Sequence, residues 1–279
     1  MAYDDFSLGA VQRSTIYERQ RISDVRQESS NRLATGRRVN QASDAPRDFF
    51  RAQALASRIS NLLDTKADIG RGIDALAATQ VGLNSVEKFS QQLKGLAISA
   101  QSADASGRAE ITAQFDTIRS QLDLLVGDIS YQGANLLSNP ADSLRVSVSD
   151  SSGGRFTING QASDAASLGI GTAATDFNGF ASQADIDAAI LAVEAAITEV
   201  QSNSSRIGSN AAILNIRESF TQDLSDTLQT GVDKLINADL NQEAARSLAA
   251  NVRDGLAQEG QRITAQAEGQ IVDLVRSLS

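Results

Sequence analysis

From residue 186 to residue 214 the apolar side chains keep strict 4/3 spacing: Ile186, Ile190, Val193, Ile197, Val200, then Ser204, Ile207, Ala211 and Leu214. Such a heptad seam marks a helix that needs another helix along its whole length. A helix over residues 183–230 would be roughly 70 Å long at about 1.5 Å per residue. One small core cannot bury that, so other parts of the chain must supply partner helices. Beyond Leu214 the phase changes, with Ile216, Phe220, Leu224 and Leu228 spaced by four. This slip is expected to turn the stripe onto a new partner surface or to alter the supercoil locally.

Partner stripes are easily found. Only two prolines, Pro46 and Pro140, interrupt the 279 residues, so long stretches contain no strong helix breaker. Residues 5–35 read as a helix stopped by Gly36, with a connector over 37–40. Ser43-Asp44-Ala45-Pro46 reads as a helix start. Leu55, Ile59, Leu62, Ile69, Ile73, Leu76, Leu83, Val86, Leu93, Leu96 and Ala100 then follow the helical period, skipping Lys66 and Gln80. Gly70, Gly72, Gly82 and Gly95 weaken that helix and are expected to mark close approach of a neighbour. A turn over 102–107 leads to the grid Ile111, Phe115, Ile118, Leu122, Leu125, Ile129, which completes an αα-hairpin.

Residues 139–182 differ in kind and hold six of the 20 glycines. Leu144, Val146 and Val148 alternate with polar residues, as do Phe156 and Ile158 after a Gly/Ser turn, which predicts a β-hairpin. The rest of this stretch reads as a surface loop. Ser182 with Asp185 three residues later opens the long helix, and Asp239 with Gln242 opens the last one. The fold class is therefore mainly α: an elongated antiparallel helical bundle or coiled coil formed by both chain ends, with a small mid-chain β-hairpin.

The apolar stripes run into both termini. Leu8, Val11, Ile22, Val25 and Leu33 mark one end; Leu248, Val252, Leu256, Ile263, Leu274 and Leu278 mark the other. Most chain ends are short, polar and frayed. These are expected to lack a complete core until other chains supply one, which makes them candidate self-assembly residues.

Composition removes several alternatives. A net charge of −9 argues against nucleic-acid binding, although residues 1–58 carry ten Arg, no Lys and seven Asp/Glu. Interleaved acids make that basic arm read as a solvated helix face. No Cys and no His are present, which removes disulfides, thiol chemistry and the commonest general base and metal ligand. Carboxylate pairs such as Asp185/Asp187 and Asp223/Asp226 lie on amphipathic helices with no partner base, so no catalytic, cofactor or metal residues are expected. No apolar run spans a bilayer and the N-terminus does not resemble a cleaved signal, so neither membrane insertion nor that export route is expected.

Asn31-Arg32-Leu33-Ala34-Thr35-Gly36-Arg37-Arg38-Val39-Asn40-Gln41-Ala42-Ser43-Asp44-Ala45-Pro46 resembles a characteristic segment of bacterial flagellin. Residues 73–102, Tyr131-Gln132-Gly133-Ala134-Asn135-Leu136-Leu137 and Ile236-Asn237-Ala238-Asp239 resemble further family segments, in the family's order. The resemblance covers about residues 1–138 and 183–279. It implies a non-enzymatic filament subunit of the bacterial flagellum that polymerises with copies of itself for motility, leaves the cell by the flagellar type III route, and meets an export chaperone and the cap and hook-junction proteins.

By the same resemblance, residues 1–42 and 237–279 would be terminal arms of the inner filament core. Residues 43–138 (helical hairpin) and 183–236 (long helix) would form the outer tube, and 139–182 a β-hairpin with a variable surface loop. The chain departs from the family at Gln92, where some members carry an arginine that innate immune receptors recognise, and in its final residues Val275-Arg276-Ser277-Leu278-Ser279. The nearest alternative is a hook–filament junction protein, whose ends look similar. A non-flagellar helical adaptor would need long seams too, but not paired ends flanking a hairpin.

Overall fold

The computed structural model describes residues 10–150 and 153–277. Along the chain run α1 (Ala10–Thr35), α2 (Pro46–Ser102), α3 (Ala105–Asp128), β1 (Ser143–Ser147), β2 (Arg155–Asn159), a short turn at Asn178–Phe180, α4 (Gln183–Ile236) and α5 (Leu240–Ser277). The chain forms two compact units, one from residues 1–57 and 228–279, the other from residues 58–227.

The helix boundaries follow local chemistry. Gly36 stops α1 at φ +68°, a left-handed conformation that costs other residues more, and its amide returns to the Arg32 carbonyl. Asp239 caps α5 by accepting from the amides of Asn241 and Gln242. Ser182 and Asp185 form a reciprocal box at the start of α4. The Ser182 hydroxyl, and then its amide, hold the Asp185 carboxyl below its ordinary range. Asp44 differs from the expected cap of α2: its carboxylate turns back and accepts from the amides of Asn40 (2.8 Å) and Gln41 (3.0 Å), closing the preceding loop. The turn between α2 and α3 is shorter than 102–107, because Asp104 caps α3 through the Gly107 amide and draws Gly107 into the helix.

In the 58–227 unit, α2 and α4 run antiparallel. As α2 rises in steps of seven, its partners on α4 fall in steps of seven: Glu87 with Gln201, Lys94 with Glu194, Gln101 with Asp187. Lys66 and Gln80, which interrupt the apolar grid, lie on this same polar flank and bond Gln222 and Ser204. The core between them holds Ile69, Leu76, Leu83, Val86 and Leu93 from α2, Phe115, Leu122 and Val126 from α3, and Ile186, Val193, Val200 and Leu214 from α4. Ala189 and Ala196 widen the α4 stripe beyond the seam legible in the sequence. Two of the four glycines of α2 admit neighbours: a Cβ on Gly72 would lie 2.6 Å from Val146, and one on Gly82 would collide with the Ile129 side chain. Gly70 and Gly95 face open space.

Two expectations are corrected here. First, α4 does not slip phase after Leu214. The heptad positions continue inward as Thr221 (3% exposed) and Ser225 (6%), while Ile216 (70%) and Phe220 (56%) point outward. The apolar stripe leaves the intrachain partner but the backbone does not follow. Thr221 tolerates burial because its hydroxyl bonds the Arg217 carbonyl of its own helix. Second, residues 160–182 are not a surface loop. Ala165, Leu168, Ile170, Ala173, Phe177 and Phe180 are buried in the core. One face of α3 stitches the segment down: Asp123 accepts from the Ala165 amide, Arg119 donates to the Ile170 carbonyl, Asp116 accepts from Ala173, and Arg108 donates to Ala181.

The β-hairpin is as expected, antiparallel with Leu144 opposite Ile158 and Val146 opposite Phe156. Asn135 anchors the chain before it, donating to the Val126 carbonyl and accepting from the amides of Leu137 and Ser138.

Candidate assembly surface

In the unit built from both chain ends, α1 and α5 pack antiparallel. The two connectors meet first: the amides of Arg38 and Val39 donate to the Ile236 carbonyl, and the Ala238 amide donates to the Gly36 carbonyl. Arg38 adds hydrogen bonds to Asp48 (2.8 Å) and to the Leu235 carbonyl (2.7 Å), and Val39 is buried.

The α1–α5 interface is mostly polar. On α5 the residues turned inward are Glu243, Ser247, Ala250, Asp254, Ala257 and Gln261, again at 4/3 spacing. Glu243 is a buried carboxylate. It accepts from Ser29 (3.0 Å), Arg32 (3.2 Å) and Arg246 (3.0 Å), so its charge is matched by two guanidinium groups. Arg19 and Arg26 flank Asp254 at 3.8 and 3.6 Å, and Arg19 also reaches Gln261. The basic arm thus faces carboxylates of α5. Glu243 and Asp254 were missed in the sequence because attention to apolar spacing hides a seam written in small and charged residues.

The apolar residues singled out in the sequence lie mainly elsewhere. Ile22 is buried beside Ala250, and Leu33 is half-buried. Val25, Leu248, Val252, Leu256, Ile263 and Leu274 are exposed, Leu256 by 68%. Ile16, Tyr17 and Leu240 extend the exposed set. Leu8 and Leu278 lie outside the described residues, as does the side chain of Val11. Between the helices runs a cleft of about 310 Å³, lined by Ile22, Val25 and Ala250 together with Glu18, Arg21, Arg246 and Arg253.

Isolated exposed leucines are ordinary, but a set repeated along one helix is not. Here α5 has two faces: a small, polar one used within the chain and an apolar one left open. Among the described residues no group of His, Cys, Asp or Glu is arranged to hold a metal, and no helix is long and apolar enough to cross a membrane.

Fold and surface together define a helical structural subunit whose two ends pair with each other and present an apolar face outward. A sequence model described as the bacterial flagellin N-terminal helical region matches residues 10–142. A flagellin of Brucella melitensis biotype 1 is 24% identical over 257 residues, covering 89% of this chain and 90% of its own length. A flagellin of Caulobacter vibrioides is 24% identical over 249 residues, covering 88% and 89%. The fold resembles that of a solved structure assigned as a flagellar hook-associated protein of Vibrio parahaemolyticus, with a TM-score of 0.59, 15% identity, and coverage of 70% of this chain and 100% of that one. The chain is thus similar to bacterial flagellins, through the family model over residues 10–142 and through these relatives over nearly nine-tenths of its length.

Proposed function

We propose that this chain is a flagellin that polymerises with copies of itself into a flagellar filament, and that the exposed face of α5, with Val25 of α1, is a surface through which it does so. The observation that carries the reading is the two-faced α5: its polar face is used by α1, and Leu248, Val252, Leu256, Ile263 and Leu274 are left to other subunits. The paired arms gain little from one another, because their interface buries few apolar side chains and isolated helices gain little without tertiary contacts. Folding of the arms is therefore coupled to assembly, and neighbouring subunits complete the core. Leu8, Val11, Ile22, Leu33 and Leu278 belong to the same assembly set. The role is structural, without turnover. Secretion through the flagellar export apparatus, a chaperone before export, and contacts with the cap and hook-junction proteins are parts of the same proposal.

The alternative, a hook–filament junction protein, has the fold likeness on its side. The similarity to flagellins over nearly nine-tenths of the chain favours the filament. The test is electron microscopy of concentrated protein with a paired variant, Leu248→Ser with Leu256→Ser. Both side chains are exposed, so the variant should match the parent in monomer stability within about 0.5 kcal/mol. The parent should form helical filaments and the variant should not. Filaments of the variant at the parent's critical concentration would refute the assigned surface.

A further inference from the structure

Residues 201–210 of α4 read Gln-Ser-Asn-Ser-Ser-Arg-Ile-Gly-Ser-Asn, seven of the ten being Ser, Asn or Gly. The preceding stretch contains Ala188, Ala189, Ala192, Ala195 and Ala196. Ser, Asn and Gly are poor helix formers and Ala is the best, so α4 changes from a strong helix to a weak one within one turn. Its hydroxyls also compete with the helix ladder: Ser205 bonds the Gln201 carbonyl (3.0 Å) and Ser209 the Ser205 carbonyl (2.9 Å).

The seam with α2 compensates here only through Ile207, 7% exposed, the one apolar side chain the segment buries. Asn203 occupies a buried position, 2% exposed, and its Nδ2 has no hydrogen-bonding partner among the described residues. Gln80 of α2 donates its Nε2 to the Ser204 hydroxyl, while its Oε1 is also buried and unpartnered among the described residues. The regular register of the other cross-links would place Gln80 opposite Gly208, which has no side chain, and Gln80 instead reaches one turn back to Ser204. Outside, a cleft of about 490 Å³ between this segment and Thr157 and Asn159 of β2 brings solvent against the helix. Weak propensity, back-bonded hydroxyls, two orphaned buried atoms and solvent access coincide over ten residues.

We infer that residues 201–210 are a yielding segment built into α4, where the helix opens and bends while the Ala-rich and Leu214-centred seams on either side stay closed. A long paired helix otherwise opens from its ends. This one should open in its middle.

Native-state hydrogen exchange on the full-length monomer tests this, alongside the variant Ser205→Ala, Gly208→Ala, Ser209→Ala. The two serines are exposed and a Cβ on Gly208 meets nothing within 4 Å, so these changes strengthen the helix without touching the core. In the parent, amides of 201–210 should exchange at least tenfold faster than those of 188–200 and 211–217. The variant should slow them about tenfold and change the flanks less than threefold. Uniform protection along α4 in the parent would overturn the inference. So would a parent difference that the variant leaves in place, because the composition of the segment would then not be its cause.

Discussion

Replacing Phe180 by alanine tests whether residues 160–182 are core or surface. The Phe180 ring is fully buried and meets Phe115 edge-on, with ring centroids 5.6 Å apart and planes at 90°. Phe177 meets the same Phe115 ring at 6.3 Å and 85°. Truncating a buried phenylalanine to alanine costs about 3–5 kcal/mol, of which an edge-to-face pair supplies about 0.5–1.5. With a urea m-value of about 2 kcal/mol/M, the midpoint of unfolding should fall by about 1.5–2.5 M. A surface position would change stability by no more than about 0.5 kcal/mol.

A second variant sharpens the test. Asn178, Gly179 and Phe180 all have positive φ, at 47°, 61° and 57°. A bulky residue in the left-handed region is strained by about 1–2 kcal/mol, so ring packing and the Arg108 bond to the Phe180 carbonyl must hold it there. Phe180→Gly loses the same ring but removes that strain, so it should be no less stable than Phe180→Ala, whereas glycine is ordinarily the worse substitute. Urea titration followed by far-UV circular dichroism reads both. A loss below about 1 kcal/mol for Phe180→Ala, set against the 3–5 expected, would refute the core assignment. A glycine variant markedly weaker than the alanine one would refute the strain argument.

At the α1–α5 seam, Glu243→Ala removes the buried acceptor shared by Ser29, Arg32 and Arg246. Counting about 1.5–3 kcal/mol for the shielded arginine, about 1 for the serine and little for the half-exposed Arg246, the pairing should weaken by about 3 kcal/mol. Native-state hydrogen exchange of the α1 and α5 amides reports the pairing. Exchange should quicken at least severalfold with Glu243→Ala, and unchanged exchange would remove Glu243 from the seam. For pH, the amides of Asn40, then Gln41, hold the Asp44 carboxyl below its ordinary value. A depressed native pKa means stabilisation that is present above the unfolded pKa and lost as pH falls through the folded one. An NMR titration of Asp44 should show a midpoint below that of an unfolded peptide, and Asp44→Asn should remove this contribution to acid sensitivity. A midpoint at or above the peptide value would contradict the loop geometry.

Much of the fold was legible because helices announce themselves locally. The period of α2, α3 and α4, the stop at Gly36, the start at Pro46 and the box at Ser182 and Asp185 need only neighbours a turn away. The β-hairpin was legible for the same reason, from alternation around a turn. Segment 160–182 was not, since its buried residues have no period. They are placed by side chains of α3, namely Arg108, Asp116, Arg119 and Asp123, which bind its backbone.

The candidate surface divides in the same way. That both ends carry apolar stripes could be read from residues such as Leu248, Leu256 and Ile263 alone, and the likeness to an assembling family from segments such as Asn31–Pro46. Which face of α5 meets α1 could not. Glu243, Ser247, Ala250 and Asp254 form a seam only because arginines and a serine from α1 lie opposite them. Beyond Leu214 the apolar stripe and the buried face separate, since α4 keeps its heptad phase through Thr221 and Ser225 and leaves Ile216 and Phe220 outside. By itself the sequence determined where helices lie and that they carry more apolar surface than one chain buries, because periodicity is a property of a single helix. Which face is covered depends on a partner far away in the chain, and only the tertiary structure decided it.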